Sequence, residues 1–139
     1  MVSIQVREIT AAETWPLRHG VMWPDKPFAH VQLPDDDRGH HYGLFENDRL
    51  VSVLSLFVDG TDARIRKFAT LTTHQRRGYG SRLLAHVLEA AAGLGAKRIW
   101  CSARVEAAPF YEKSGMREFG DRFIYENMPY VNMEMPLGG

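Results

Sequence analysis

The sequence predicts an α/β chain: a mixed, mostly antiparallel sheet of about seven strands flanked by helices, with one parallel strand pair. Three observations carry this reading. Segments of period-two alternation, separated by polar turns, mark strands through the first half of the chain. One long helical face, built from Leu83, Leu84, Val87, Leu88 and Ala91, follows a glycine-bearing loop. A short apolar strand comes directly after that helix, and strand–helix–strand in one sheet implies a parallel pair with a right-handed crossover.

Val2, Ile4 and Val6 alternate with polar residues and form the first strand. Thr10-Ala11-Ala12-Glu13 reads as a capping box, but Pro16 would interrupt the helix, so a start near Thr14 is the alternative. Residues 23–38 hold Pro24, Pro27, Pro34 and the run Asp35-Asp36-Asp37, a composition that cannot supply a regular ladder; a long loop with room for a short helix is expected. Strands follow at about 42–46, 50–58 and 62–71, parted by turns at Glu46-Asn47-Asp48-Arg49 and Asp59-Gly60. The helix after Gly80 ends near Gly93 or Gly95. Arg98 to Ala103 is the next strand, which makes 62–71 and 97–103 the parallel neighbours. Ala107, Ala108, Phe110 and Tyr111 belong to a short helix ended by Gly115, and strands near 116–120 and 130–136 complete the sheet.

A length of 139 residues suits one domain, 1–139, with a packed core. The 17 basic residues cancel the 17 acidic ones, which argues against wholesale binding to nucleic acid or a membrane. Cys101 is the only cysteine, so no intramolecular disulfide forms and a reducing compartment fits. The stretch from Met1 to Arg7 lacks the apolar run of a signal peptide, and no later run approaches a membrane span; a cytoplasmic protein is expected. His40-His41 and His86/Glu89 lack a third ligand, so no metal is expected.

Gln75-Arg76-Arg77-Gly78-Tyr79-Gly80-Ser81 lies where a strand gives way to a helix. The first N–H groups of that helix have no intrahelical partner, and glycines permit close approach, so these amides suit a diphosphate. The P-loop needs Lys-Ser/Thr after its second glycine, and the dinucleotide fingerprint needs a small residue where Leu83 stands; neither is matched. Arg77-Gly78-Tyr79-Gly80 also matches the start of an RNA-recognition motif, although Ser81 and Arg82 then fall on a helix rather than a strand.

These residues resemble the GNAT superfamily of N-acetyltransferases, whose central motif runs strand, Gln/Arg-x-x-Gly-x-Gly/Ala, helix; here it is Gln75-x-x-Gly78-x-Gly80. A second block, Ala103-Arg104-x-x-Ala107-x-x-Phe110-Tyr111-Glu112-Lys113-x-Gly115-Met116, is similar to the family's Phe-Tyr-Glu-Lys-x-Gly-Phe segment. The chain departs from the pattern at Arg104, where many members carry Asn, and at Thr72, where many carry Pro. The resemblance implies a GNAT-like fold and an acetyl-CoA-dependent N-acetyltransferase acting on a primary amine in a ternary complex. It implies diphosphate contacts from Gln75, Arg76, Arg77, Gly78, Tyr79, Gly80 and Ser81. It also implies pantetheine contacts from the backbone of Phe68, Ala69 and Thr70, further contacts from Ala107 and Phe110, and Tyr111 beside the coenzyme sulfur as general acid. A homodimer is common among similar proteins. A coenzyme-A sensor without turnover and an RNA-binding module are the competing functions.

Direct transfer to an amine needs an uncharged nucleophile, an oxyanion cradle and a proton for the leaving thiolate. A phenol of pKa ~10 protonating a thiolate of pKa ~8.5 runs uphill by roughly 2 kcal/mol. Candidate bases are His41, Glu126, and Asp36 or Asp37. Arg64 and Arg66 share one face of a strand, where they either pair with surface carboxylates or leave one of them to meet an acceptor carboxylate. The acceptor residues are thus expected to be His41, Arg66 and Glu126. Cys101 reads as a small apolar filler rather than an acyl carrier. Trp15, Trp23 and Trp100 are candidates for an acceptor pocket or the core.

Overall fold

A computed structural model describes residues 2–138. Seven strands, β1 (Ile4–Ile9), β2 (His40–Glu46), β3 (Arg49–Asp59), β4 (Asp62–Thr70), β5 (Arg98–Arg104), β6 (Arg117–Tyr125) and β7 (Met128–Pro136), form one sheet in the order β1-β2-β3-β4-β5-β7-β6. Every neighbouring pair is antiparallel except β4 and β5. The turn between β2 and β3 places Asn47 and Asp48 at positive φ, and the β6–β7 turn does the same with Glu126 and Asn127; such paired left-handed residues follow the twist of a tight hairpin.

Helix α2 (Tyr79–Gly93) buries Leu83, Leu84, Val87 and Ala91 against the sheet, meeting Leu44, Leu54, Leu56 and Ile99 in the main core. Full burial of each leucine contributes about 1.5–3 kcal/mol, which fixes the helix across the strands and sets the position of its first turn. At its other end Gly95, at φ 93°, lets the chain reverse, and Ala96 N–H reaches the Ala91 carbonyl. Helix α3 (Ala108–Glu112) follows a single 3-10 turn, Val105–Ala107, and ends before Gly115 at φ 101°.

Several boundaries differ from the sequence expectation. Helix α1 (Ala11–Leu17) begins at Thr10, whose capping box is complete, so the start near Thr14 does not occur. Pro16 stays inside the helix, and the next turn widens into a π-helical segment, Arg18–Met22. The segment 23–38 carries two 3-10 turns, Phe28–Val31 and Asp36–Arg38. β6 runs to Tyr125 rather than 120, and β7 begins at Met128 rather than 130.

The segment after α1 is held by an interior ion pair. Arg18, fully buried, donates from Nη1 to Asp36 Oδ2 (2.8 Å) and the Val31 carbonyl (2.9 Å), and from Nη2 to Asp36 Oδ1 (3.0 Å) and Ser55 Oγ (2.8 Å). Trp15 Nε1–H and Leu33 N–H also donate to Asp36, each at 3.0 Å. Burial by itself would raise the Asp36 pKa; the Arg18, Trp15 and Leu33 hydrogen bonds outweigh it and hold the carboxyl below its ordinary value. Paired this way, the two charges dock the 3-10 turns onto β3 and place Trp23 beside β4.

Candidate active site

β4 and β5 pair only at Asp62–Arg64 with Arg98–Trp100. Beyond those residues the strands part, and the sheet opens into a wedge. A bulge in β4 sharpens the opening: Val53 pairs with Ala69 and Ser55 with Arg66, so Lys67 and Phe68 share one opposing residue, and Lys67 sits at φ 55°. On the β5 side, β4 past Arg64 has no ladder partner among the described residues, which leaves backbone groups free for an extended ligand.

Three cavities follow the wedge. One of about 810 Å³ lies along the first turn of α2, and Tyr111, Phe68, Glu106 and Ala107 divide it from a second of about 340 Å³. A third of about 290 Å³ continues from the second beneath Trp23 and Tyr130. Tyr111 therefore stands at the joint between a large cavity that opens onto the glycine loop and a smaller pair on the other side.

Nine of the twelve residues expected to touch coenzyme line the 810 Å³ cavity; Ala69, Arg77 and Tyr79 do not. Ala69 is buried and its carbonyl accepts from Ser52 Oγ at 3.3 Å. Tyr79 donates its hydroxyl to Glu46, and Arg77 Nη1 lies 3.6 Å from the same carboxylate, so both side chains face the β2–β3 turn. His74 Nε2 is a third partner of Glu46, at 3.2 Å. The Tyr79 hydrogen bond, with His74 and Arg77, holds the Glu46 carboxyl below its usual value. This carboxylate, invisible as a loop anchor in the sequence, ties the loop to β2.

Gly78 caps α2 in the left-handed conformation, at φ 80°, without a side-chain hydrogen bond to the first helical amides. Those amides consequently point outward unpaired, at the positive end of a 15-residue helix. A Cβ on Gly80 would sit 3.5 Å from the rings of Phe68 and Phe110, inside the mouth of the cavity. The residues present thus fit a diphosphate at the loop and a slender arm along β4.

Tyr111 is 8% exposed. Burial pushes its pKa well above the ordinary phenol value, helped by the adjacent Cys101. Cys101 itself is pushed up to about 12, again chiefly by burial. At neutral pH both groups keep their protons, so Tyr111 is a donor and Cys101 is no thiolate nucleophile.

The expected acceptor residues part company. Arg66 lines both smaller cavities. His41 lines none of the three: it is 3% exposed, its Nε2 lies 2.8 Å from the Asp36 carbonyl and its Nδ1 2.7 Å from Ser55 Oγ. Because a carbonyl only accepts, Nε2 donates, and Ser55, accepting from Arg18, donates to Nδ1. Both ring nitrogens are thereby engaged in the Arg18–Asp36 network, which also occupies the Asp36 carboxylate. Glu126 sits in the exposed β6–β7 turn, where its charge acts on Lys67. Trp15 joins the buried network and Trp23 lines the smaller cavities, while Trp100 stacks under Arg64 at 4.4 Å. Lys67, Glu106 and Tyr130 line the smaller cavities without having been singled out in the sequence. A lysine at the bulge and a carboxylate two residues past β5 carry no periodic signal.

Among the described residues no helix is long and apolar enough to cross a membrane. A family model described as the acetyltransferase (GNAT) family matches residues 7–116. A curated Bacillus subtilis (strain 168) protein, described as the uncharacterized N-acetyltransferase YitI, is 27% identical over 129 residues, covering 86% of this chain and 87% of that protein. Among solved structures, the IAA acetyltransferase from Bacillus cereus ATCC 14579 superposes with a TM-score of 0.80 at 19% identity, over 97% of this chain and 100% of that one. A GNAT family acetyltransferase from Elizabethkingia anophelis with acetyl-CoA bound gives 0.77 at 18% identity, over 96% and 98%. At such identities the structural likeness speaks for the fold.

Proposed function

Because the chain belongs to the GNAT acetyltransferase family and is an acyltransferase, we propose that it acts as one catalytic unit, transferring the acetyl group of acetyl-CoA directly to a primary amine held in the smaller cavities. The observation that carries this reading is the place of Tyr111, between the cavity served by the glycine loop and those served by β4, Trp23 and Tyr130. The fit of the loop supports acetyl-CoA as donor, as does its presence in the Elizabethkingia anophelis relative.

Acetyl-CoA supplies an activated thioester. The free amides from Gly78 onward hold its diphosphate, and the unpaired edge of β4 from Phe68 to Thr70 hydrogen-bonds its arm. Tyr111 faces the sulfur that leaves. Its raised pKa makes full proton transfer to a thiolate of pKa ~8.5 costlier than for a free phenol. Its role is therefore to donate a hydrogen bond that strengthens as negative charge gathers on sulfur, with the proton completing its transfer from solvent. His41 and Asp36 are committed to the buried network and neither Asp37 nor Glu126 lines any of the three cavities, which leaves Glu106, exposed and bordering two of them, and solvent as routes for the amine proton. The single buried cysteine suits the reducing cytoplasm that we assign as its setting.

The test is release of free coenzyme A thiol from acetyl-CoA over a broad panel of amines. Amine-dependent release is the expected result; coenzyme binding without release for any amine would favour a sensor instead.

A further inference from the structure

Arg64, Arg66 and Lys67 all line the 290 Å³ cavity, although neighbouring residues of a regular strand point to opposite faces. The bulge resolves this. Lys67 adopts φ 55°, the pairing slips by one residue, and Lys67 turns into the same cavity as Arg66. A lysine in the left-handed region is strained, and strain of this kind persists where the fold holds a side chain for use.

Two donors in the cavity walls have no protein acceptor: Arg64 Nε and Trp23 Nε1 are buried and unpaired. Buried donors of this kind carry a desolvation penalty that a ligand acceptor removes. The opposing charges are few. Asp35 lies 3.5 Å from Arg66, and the Glu126 charge acts on Lys67. Three cations against two carboxylates leave an excess of one positive charge, which matches one carboxylate better than a dianionic phosphate. Trp23, Tyr125 and Tyr130 form apolar walls around it.

We infer that the acceptor is an amino-acid-like small molecule, with its amine beside Tyr111 and a single carboxylate held by Arg64, Arg66 and Lys67. Cavities of about 340 and 290 Å³ in series have the size of a small-molecule site. The inference rests on the acetyltransferase reading and names its acceptor class. In the reaction the amine nitrogen forms a C–N bond to the acetyl carbonyl carbon while the C–S bond breaks; one amine proton passes to solvent, and coenzyme A leaves as the thiol.

The experiment compares kcat/KM, by thiol release, for L-phenylalanine, L-phenylalaninamide and O-phosphoethanolamine, with the wild-type protein and with Arg66→Gln and Lys67→Gln. A parallel calorimetric titration sets N-acetyl-L-phenylalanine against its amide, using protein saturated with coenzyme A. The expected result is a preference for acid over amide on the order of 10- to 100-fold in both measurements, the size of a charge-assisted hydrogen-bonded pair. That ratio should fall towards one in either variant, chiefly through KM, while circular dichroism and acetyl-CoA affinity show both variants folded. Equal use of acid and amide, a preference for the phosphate, or an acid preference that survives both substitutions overturns the inference. Absence of thiol release with every amine contradicts the parent reading instead. The calorimetric comparison still judges the pocket in that event, and no preference for the N-acetyl acid overturns its assignment.

Discussion

Tyr111 and Cys101 share one buried corner, and the proposed reading gives a part in the reaction to Tyr111 alone. Tyr111→Phe should lower kcat about 10- to 100-fold, the worth of a hydrogen bond to a developing thiolate, and leave acetyl-CoA affinity within about twofold. Steady-state kinetics beside calorimetry separates the two, and an unaltered kcat removes the donor role. Cys101→Ala should keep turnover within a few-fold, because a thiol pushed up to about 12 carries no acyl group at neutral pH. A loss of several hundredfold in a folded variant would point to covalent catalysis. The two loop glycines differ in kind. Gly78 needs its positive φ, whereas Gly80→Ala meets only ordinary contacts with Phe68 and Phe110. Gly80→Ala should therefore leave thermal unfolding nearly unchanged and still raise the acetyl-CoA dissociation constant about tenfold, since the added methyl stands in the cavity mouth.

Elements are positioned here by charged side chains far apart in sequence. Asp36→Ala strands the Arg18 guanidinium in the interior and should cost about 3–5 kcal/mol in denaturant unfolding. The Asp36 carboxyl is held below its ordinary value of ~3.9, so its stabilisation is complete above that pH and is lost as pH falls towards the folded value. Unfolding midpoints measured from pH 6 to 3 should drop more steeply in the wild type than in Asp36→Asn. These couplings also mark where the sequence stops being legible. The hairpins, the parallel pair and the loop between β4 and α2 were readable, because glycine, turn chemistry and hydrophobic period are local signals. Arg18 with Asp36, and Glu46 with Tyr79 at the start of α2, are pairings across the fold, and composition alone made residues 23–38 look unstructured. Pro16 argued for a broken helix, yet the helix runs through it to Leu17 and continues as a π-helical turn. β6 was read too short because it is an edge strand wet on both faces, so Asp121 to Tyr125 show no alternation.

The whole molecule is a sheet split along one seam, with the 810 Å³ cavity on the α2 side and the two smaller cavities on the β4–Trp23 side; the proposed reading assigns the acyl donor to the first and the acceptor to the others. The place of the 75–81 loop between a strand and a helix was legible from its glycines and the change of hydrophobic period, while the roles expected of that loop and of Tyr111 came from the resemblance of their motifs. The two smaller cavities were not legible, since a bulge in β4 and a buried ion pair shape their surroundings. The account depends most on coenzyme being gripped by main-chain amides at the start of α2, with its sulfur at Tyr111. A crystal structure with coenzyme A bound tests this directly. The diphosphate should lie on the amides of residues 78–81, with the sulfur within hydrogen-bonding reach of the Tyr111 hydroxyl. A diphosphate bound anywhere else, or a sulfur remote from Tyr111, would contradict it.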